Sequence, residues 1–232
     1  MTIVFREQAA FFGAELRYQD RDKPKGNRII AMPIGPIERT LHLCSRIRTR
    51  LFTFLLSSQF KEAGSGSRIS PPFRCHGLNQ IVLGKGAQIE RDCWIQTIPD
   101  DKEDNEAKLV IGPYAGIGMG ASISAARKVV IGEHVLLARN VYIADHAHAF
   151  ENIEASIMHQ GINGIAPVSI GRNTWLGQNV VVLPGISIGE HCVIGANSVV
   201  NSSIPDLSVA VGAPARVVKR YNRDTGAWER VK

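Results

Sequence analysis

The stretch IGRNTWLGQNVVVLPGISIGEHCVIGANSVV, residues 170–200, carries an aliphatic residue at every sixth position. These positions are Ile170, Leu176, Val182, Ile188, Ile194 and Val200. Glycine follows several of them, and a small or aliphatic residue lies four places after each. A short period kept in register over this length is typical of a repeat architecture, in which similar units stack and share one core.

The same register extends towards the N-terminus. Its earlier positions are Leu83, Ile89, Ile95, Ile111, Ile117, Ile123, Ile131, Leu137 and Ile143. The fifteen hexads form five sets of three, because the insertions at 96–110, 124–130 and 144–169 each follow a complete set. If three hexads make one triangular turn, all three insertions leave at the same corner. Accidental spacing in an ordinary β-sandwich does not sustain such a register, so the sequence predicts an all-β solenoid of about five turns.

The composition is that of a globular chain with a real core, since 44% of the residues are hydrophobic and 21% are charged. The first residues mix Arg6, Glu7 and Glu15 into a short apolar stretch, which is not the pattern of a secretion signal. The four cysteines form no CxxC pair, which is typical of reduced thiols. We therefore expect a cytoplasmic protein.

Charge divides the chain into parts. Residues 1–70 hold 12 Lys or Arg against 6 Asp or Glu, whereas residues 71–232 hold 15 of each. The glycine- and serine-rich segment 64–67, followed by Pro71 and Pro72, reads as a linker. We expect a basic N-terminal segment over 1–70, the repeat domain over 71–210 and a C-terminal extension over 211–232. The excess is too small and diffuse to indicate nucleic-acid binding.

Residues 41–61 predict an amphipathic helix. Its apolar stripe consists of Leu41, Cys44, Ile47, Leu51, Phe54 and Leu55. The apolar run is far too short to span a bilayer. Two interpretations stay open: the helix caps the open end of the solenoid, or it lies on an anionic membrane, which would place the protein at the inner face of the membrane.

Several motifs on this scaffold point to one family. They are Asp145-His146-Ala147-His148, Trp175-Leu176-Gly177, Leu183-Pro184-Gly185 and Gly212-Ala213-Pro214-Ala215-Arg216. In this combination the chain resembles the galactoside, maltose and surface-polysaccharide O-acetyltransferases of the hexapeptide-repeat acyltransferase superfamily. The resemblance implies a left-handed parallel β-helix over 83–204. The hand rests on the resemblance alone, because strand crossovers are generally right-handed.

The resemblance makes His146 the general base that takes the proton of an attacking hydroxyl, a task to which imidazole is suited at neutral pH. Asp145 or a backbone carbonyl would orient the ring. No metal is expected, because the cluster of Asp145, His146 and His148 lacks further ligands at a usual spacing. A covalent acyl-cysteine is not expected either, since no cysteine falls in the motifs.

The implied acyl donor is acetyl-CoA. The residues matching the family's cofactor positions are Gly177, Gln178, Gly195, Ala196, Asn201, Ser202, Arg216 and Lys219. The small residues would let the pantetheine arm approach the backbone, and the two cations would meet its phosphates. At 178, 201 and 202 the chain departs from the family's usual residues.

The acceptor side is less well defined. His148, Met119 and Trp175 are the candidate contacts, and Gly118 with Met119 stands where galactoside-type enzymes carry a sugar-binding Asn. The acidic segment 100–106 could overhang the same corner. The resemblance implies a homotrimer with active sites between subunits and a sugar hydroxyl, in surface polysaccharide, as acceptor. The alternatives are transfer to an amino sugar, amino acid or antibiotic, and a non-enzymatic β-helix for binding or assembly.

Overall fold

The computed structural model describes residues 35–99 and 106–231. Predictions that concern residues 1–34 and most of the acidic segment therefore lie outside the described residues. The chain divides into two compact units, Met1–Leu43 and Cys44–Lys232. The described part of the first unit is the beginning of helix α1, Pro36–Ser57, and the second unit holds the rest of that helix and every strand.

Short strands follow one another in sets of three around a triangular prism. In chain order they are β1 Glu62–Ala63, β2 Arg68–Ile69, β3 Phe73–His76, β4 Ile81–Leu83, β5 Gln88–Ile89, β6 Cys93–Thr97, β7 Leu109–Ile111, β8 Gly116–Ile117, β9 Ser122–Ala125, β10 Val129–Ile131, β11 Leu136–Leu137, β12 Tyr142–Ala144, a hairpin of β13 Ala147–His148 and β14 Ile162–Asn163, then β15 Val168–Ile170, β16 Trp175–Leu176, β17 Val181–Val182, β18 Ser187–Ile188, β19 Val193–Ile194, β20 Val199–Val200, β21 Ser208–Val211, β22 Arg216–Asn222 and β23 Ala227–Arg230. Two 3-10 turns, Leu78–Gln80 and Ile157–His159, lie between them.

Three parallel sheets form the faces of the prism. Sheet A is β1-β4-β7-β10-β15-β18, sheet B runs from β2 through β5, β8, β11, β16 and β19 to β21, and sheet C is β3-β6-β9-β12-β17-β20. Each strand pairs in parallel with the equivalent strand of the next turn. The chain passes from sheet to sheet at three edges, named AB, BC and CA here. The long insertions all leave at the CA edge, as the sequence predicts.

The aliphatic positions of the hexads fill the interior. Ile117, Ile123, Ile131 and Leu137 have no exposed surface, and the same holds for most of their counterparts in other turns. Because no single turn can bury its inward side chains alone, the stacked turns form one continuous core. This burial is the main source of the fold's stability.

The AB and BC edges turn through one residue in the left-handed backbone region in most turns. The sequence predicts Gly or Asn there, and Asn140, Asn179 and Asn197 follow that rule at the BC edge. Tyr114 and His134 take this conformation at the AB edge, where their rings stack 5.0 Å apart. Stacking between turns therefore supports a backbone conformation that these side chains rarely adopt.

The number of turns differs from the expected five. The structure contains six complete turns, and a seventh begins with a bridge from Ile204 to Ile188 and with β21. The additional first turn is β1 to β3, so the repeat begins at Glu62 rather than at residue 71. The segment 64–67 is its AB edge and not a linker. Gly64 is required there, because a Cβ would lie 2.3 Å from the backbone nitrogen of Lys85.

Helix α1 also departs from the sequence prediction of 41–61. In the second unit it packs on the first turn through Phe52 and Leu56, and the backbone N–H of Ile69 donates to Thr53 Oγ1 at 2.8 Å. The apolar stripe named from the sequence points away from the first turn, since Leu51 and Phe54 are 60% and 77% exposed. Within the described residues no helix is long and apolar enough to cross a membrane.

The C-terminal extension folds back on sheet B. β22 pairs antiparallel with β21, and β23 pairs antiparallel with β22. Because β21 continues the parallel ladder and the next strand reverses direction, the extension ends the stack and covers the last edge strand, which would otherwise offer free backbone groups for pairing.

We expect Gly112→Ala to destabilise the protein by about 1–3 kcal/mol, as overpacking of a tight site usually does. A Cβ at Gly112 would lie 2.7 Å from the carbonyl carbon of Gly132 in the next turn, where only backbone atoms could yield. The matched control is Gly35→Ala, since nothing lies within 4 Å of its Cβ position. Thermal melting of both variants checks this, and equal melting temperatures would contradict the close stacking.

Candidate active site

The longest insertion, between β12 and β15, starts at the CA edge with Asp145 and His146. Its base is closed by a hydrogen bond from the Ala166 backbone N–H to the carbonyl of Asp145, at 2.8 Å. Further out, the short strands β13 and β14 pair antiparallel. The insertion therefore leaves the prism as a hairpin whose first two residues remain part of the edge.

Asp145 is completely buried, and its carboxylate accepts three backbone hydrogen bonds. The N–H of Ala126 donates to Oδ1, and those of Arg127 and Lys128 donate to Oδ2, each at 2.7 Å. These donors lie in the short connection between β9 and β10, one turn earlier. Backbone N–H groups converging on a carboxylate offset the cost of burying its charge.

His146 lies directly against this carboxylate. Its Nδ1 is 2.8 Å from Asp145 Oδ1, and its side chain is 11% exposed. From the sequence, either a carboxylate or a backbone carbonyl could orient the ring. In the structure the Asp145 carboxylate lies at this position. When Nδ1 donates to Asp145, Nε2 carries the lone pair that can accept a proton.

Two polar side chains that the sequence analysis missed lie on the Nε2 side of the ring. Ser124 Oγ is 3.4 Å from His146 Nε2, and Gln96 Nε2 donates to Ser124 Oγ at 2.9 Å. The two residues are register partners in sheet C. Each immediately follows a core position, Ile95 or Ile123, at the end of a strand that faces the CA edge. A polar residue at this offset is the signal that could have identified them.

The structure divides the other candidate residues between two edges of the prism. Met119, Gly177, Gln178, Gly195 and Ala196 lie at the BC edge, in turns three, five and six, whereas Asn201 and Ser202 lie at the CA edge beyond the last strand of sheet C. Met119 is therefore on a different edge from His146 in the same chain. The candidate donor positions also split, since Asn201 and Ser202 share the edge of the imidazole.

The BC edge is narrow and closely stacked. A Cβ on Gly177 would lie 2.6 Å from the backbone nitrogen of Ala196, and one on Gly195 would lie 2.7 Å from the Val211 side chain. Arg216 begins β22 opposite Val211, so its exposed side chain is near this edge, and Lys219 lies further along the same strand, opposite Val209. The edge thus presents small residues with a cation close to one end.

Trp175, a candidate acceptor contact, lies on sheet B and not at the CA edge of His146. It is half-buried and lines a cavity of about 580 Å³ beside the AB edge, together with Asn173, His191 and Leu207. Tyr221 and Trp228 of the C-terminal hairpin line the same cavity. The chain's own extension therefore shares this cavity with the indole, a proximity of distant segments that the local pattern does not contain. His148 is exposed on β13, opposite Ile162.

The cysteines do not form a nucleophilic site. Burial raises the pKa of the Cys93 thiol to about 12 and also raises the pKa of Cys192, so both thiols stay protonated at neutral pH. The exposed Cys75 lies on β3, three ladder steps from β12, which corresponds to about 14 Å. None of these thiols has His146 as a neighbouring base.

Comparison with known proteins agrees with this architecture. A family model described as bacterial transferase hexapeptide (six repeats) matches residues 167–202. A maltose O-acetyltransferase from Clostridium difficile 630 superposes with a TM-score of 0.50 at 29% identity, covering 82% of this chain and 90% of that one.

Three curated relatives are also similar. Galactoside O-acetyltransferase of Escherichia coli K12 is 39% identical over 153 residues, which cover 66% of this chain and 73% of that protein. A probable acetyltransferase of Mycobacterium tuberculosis is 40% identical over 161 residues, 64% of this chain and 52% of the relative. The putative lipopolysaccharide biosynthesis O-acetyl transferase WbbJ of E. coli K12 is 40% identical over 114 residues, 47% of this chain and 58% of the relative.

The chain thus spans little more than half the length of two of these relatives and nearly three quarters of the third. The match to the galactoside enzyme, together with the hexapeptide model and the stacked parallel ladders, is sufficient to assign the family. The chain belongs to the hexapeptide-repeat acetyltransferases, whose solenoid is a left-handed parallel β-helix.

Proposed function

We propose that this protein transfers the acetyl group of acetyl-CoA to a hydroxyl of a sugar, by direct attack with His146 as general base. The observation that carries the proposal is the buried Asp145 carboxylate. Its three backbone donors hold it against Nδ1, which leaves Nε2 on the side of the Ser124 hydroxyl. The named activities of the relatives, which include galactoside and maltose O-acetyltransferases, support this reaction class.

In this mechanism the acceptor oxygen attacks the thioester carbonyl while Nε2 of His146 takes the hydroxyl proton. The imidazolium that forms lies 2.8 Å from the Asp145 carboxylate, which stabilises its charge. The tetrahedral intermediate then collapses, the carbon–sulfur bond breaks, and the imidazolium returns the proton to the departing thiolate. The products are the acetyl ester and CoA with a free thiol, and His146 is neutral again.

Ser124 and Gln96 indicate where the acceptor enters. The Ser124 hydroxyl is 3.4 Å from Nε2, so an alcohol oxygen is compatible with this side of the ring. Gln96 holds the same hydroxyl from the previous turn. We infer that an acceptor hydroxyl approaches Nε2 beside Ser124. His148 at the start of the insertion is a further acceptor contact in this proposal.

The donor is assigned to the BC edge. Gly177 and Gly195 keep successive turns closely stacked, and the exposed Gln178 and Ala196 present a polar and a small side chain along which a pantetheine arm would lie. Arg216 and Lys219 on β22 would bind the phosphates of CoA, since guanidinium and ammonium groups are suited to phosphate. The acetyl end then points away from β22.

The distance between the BC and CA edges of one chain supports an active site formed between subunits. From Ala196 at the BC edge to Asn201 at the CA edge the chain crosses sheet C, about 16 Å of extended backbone. A single chain therefore does not place its imidazole beside its own donor edge. We infer a homotrimer in which the CA edge of one copy meets the BC edge of the next, so that Asn201, Ser202 and His146 face the neighbour's Ala196. Met119 would then reach the acceptor from that neighbour, whereas Trp175 lines a cavity at the AB edge and has no such place in this arrangement.

The insertion supports this assembly. Ile153 and Met158, near its tip, are 90% and 85% exposed. Large apolar side chains grouped at the end of a projecting loop are typical of a surface that another chain covers. A neighbouring copy seated on the hairpin would bury them.

Biologically, we place the acceptor in surface polysaccharide or its precursor, which the named role of the WbbJ relative supports. The four cysteines are free thiols, which fits a reducing cytoplasm. This assignment concerns the natural acceptor and is independent of the catalytic arrangement.

The first test is thiol release from acetyl-CoA by the purified protein with a panel of hexoses, deoxyhexoses and amino sugars. We expect hydroxyl acceptors to stimulate release, and His146→Ala to lower turnover at least about a hundredfold, because the loss of a general base typically costs that much. Binding of acetyl-CoA by the variant, measured by calorimetry, should be unchanged. Full turnover by His146→Ala would contradict its role, and acetylation of amino sugars alone would favour N-acyl transfer.

Asp145→Asn tests the support of the imidazole. One carboxylate oxygen becomes an amide NH2, which must face at least one backbone donor, so we expect about 1–3 kcal/mol of lost stability. The turnover number should also fall at least about tenfold, with little change in KM for acetyl-CoA, because the tautomer and imidazolium lose their partner. Urea unfolding and steady-state kinetics measure both. The exposed Asp224→Asn is the control and should alter neither.

Mixed oligomers test the shared site. We expect His146→Ala and Ala196→Trp each to be inactive alone, the second because an indole on the exposed edge blocks the pantetheine arm. Trimers that contain both variants, isolated by two affinity tags, should regain about a third of the activity, since one of the three interfaces pairs an intact imidazole with an intact edge. Mixed trimers as inactive as either parent would mean that base and donor edge act within one chain.

A further inference from the structure

Helix α1 has two chemically different faces. It can therefore cap the solenoid with one face and contact a membrane with the other, which are the two interpretations that the sequence left open. The inner face consists of Thr49, Phe52, Thr53 and Leu56. Thr49 is buried, Phe52 and Leu56 pack against the core, and Thr53 binds the backbone of Ile69. This face alone accounts for the attachment of the helix to the first turn.

The opposite face of the helix is apolar and exposed. Ile47, Leu51, Phe54 and Leu55 follow the spacing i, i+4, i+7 and i+8, which places them on one stripe. Their exposed fractions are 50%, 60%, 77% and 70%. We call these four residues the outer stripe. A contiguous exposed stripe of large aliphatic and aromatic side chains is typical of a contact surface.

Basic side chains border the outer stripe on both sides. At 3.6 residues per turn, Arg50 and Arg46 lie beyond Phe54, and Arg48 lies beyond Leu55. All three arginines are exposed. Between residues 39 and 61 the sequence contains no Asp or Glu. The outer stripe is thus an apolar band between two cationic margins.

The distribution of charge identifies the occupant. Residues 62–232 hold 16 Lys or Arg and 16 Asp or Glu, so the whole net charge of +6 belongs to residues 1–61. A second copy of this cationic face would be repelled by the first. The net charge of residues 1–34 is also positive, since they hold 6 basic and 4 acidic residues, so this segment does not complement the cationic margins of the outer stripe either. The complementary surface is therefore one of negative charge.

We propose that the outer stripe docks the protein on an anionic lipid surface, with Leu51, Phe54 and Leu55 at the boundary of headgroups and acyl chains and the arginines at lipid phosphates. A planar anionic surface meets both cationic margins at once and admits an apolar stripe between them. The inner face meanwhile holds the β-helix. The helix therefore lies along the membrane rather than across it, and this docking does not depend on the acetyl-transfer reaction.

Flotation of the full chain with lipid vesicles tests the proposal. One set of vesicles is phosphatidylcholine, and the other is phosphatidylcholine mixed with phosphatidylglycerol. We expect the protein to float with the anionic vesicles at least about tenfold more strongly than with the neutral ones, and raised salt to weaken the binding. Comparable flotation with both vesicles, or none with either, would overturn the proposal.

Two triple variants identify the surface. L51S/F54S/L55S and R46Q/R48Q/R50Q should each weaken binding to anionic vesicles at least about tenfold. The control R74Q/R223Q/R230Q removes the same charge from exposed positions elsewhere and should retain the binding. All variants should keep the parental melting temperature, because the changed side chains lie outside the core. If the control loses as much binding, or if L51S/F54S/L55S instead changes the mass of the oligomer in solution, the stripe is not a lipid-docking surface.

Discussion

The structure depends on the stacking of aliphatic side chains from successive turns in a single column. Each hexad contributes one inward residue, and it packs on the equivalent residue of the turns above and below. Because the ladders are parallel and in register, equivalent positions of successive turns lie directly above one another. The prism edges are consequently straight, and the side chains and insertions at each edge form a row along the axis.

This regularity explains how the chain positions the proposed catalytic pair, Asp145 and His146. The Asp145 carboxylate is buried beside His146, and three backbone N–H groups of the preceding turn bind it. That preceding turn is fixed by its own buried positions, such as Ile123 and Ile131. The position of the imidazole is therefore set by the core packing of the prism.

The candidate site and the net positive charge lie in different parts of the chain. The repeat domain and extension are neutral overall, whereas the segment before them carries the entire positive excess. Helix α1 connects the basic segment to the repeat domain. Its inner face packs on the first turn, and its outer stripe is exposed. A helix that packs on one side only can attach a rigid solenoid to a second surface without altering the solenoid's edges.

The sequence alone determined the solenoid, the common edge of the insertions and the place of Asp145 and His146, because a six-residue period is a local property of strand and corner. It missed the first turn, since Gly64 to Ser67 have the composition of a linker and act as an edge only when stacked on Lys85. It also left open which face of the helix contacts the solenoid. Leu51 and Phe54 are more apolar than Thr49 and Thr53, and only the first turn selects between the faces.

The details of the site were decided by tertiary structure. The donors to Asp145 are 17 to 19 residues away, and Ser124 is 22 residues from His146. Such contacts depend on the length of each insertion and on the register between turns, which no short motif encodes. The same holds for the cavity that Trp175 shares with the C-terminal strands and for the division of the candidate residues between two edges. Periodicity determines the scaffold, whereas contacts between turns and segments determine the arrangement of groups on it.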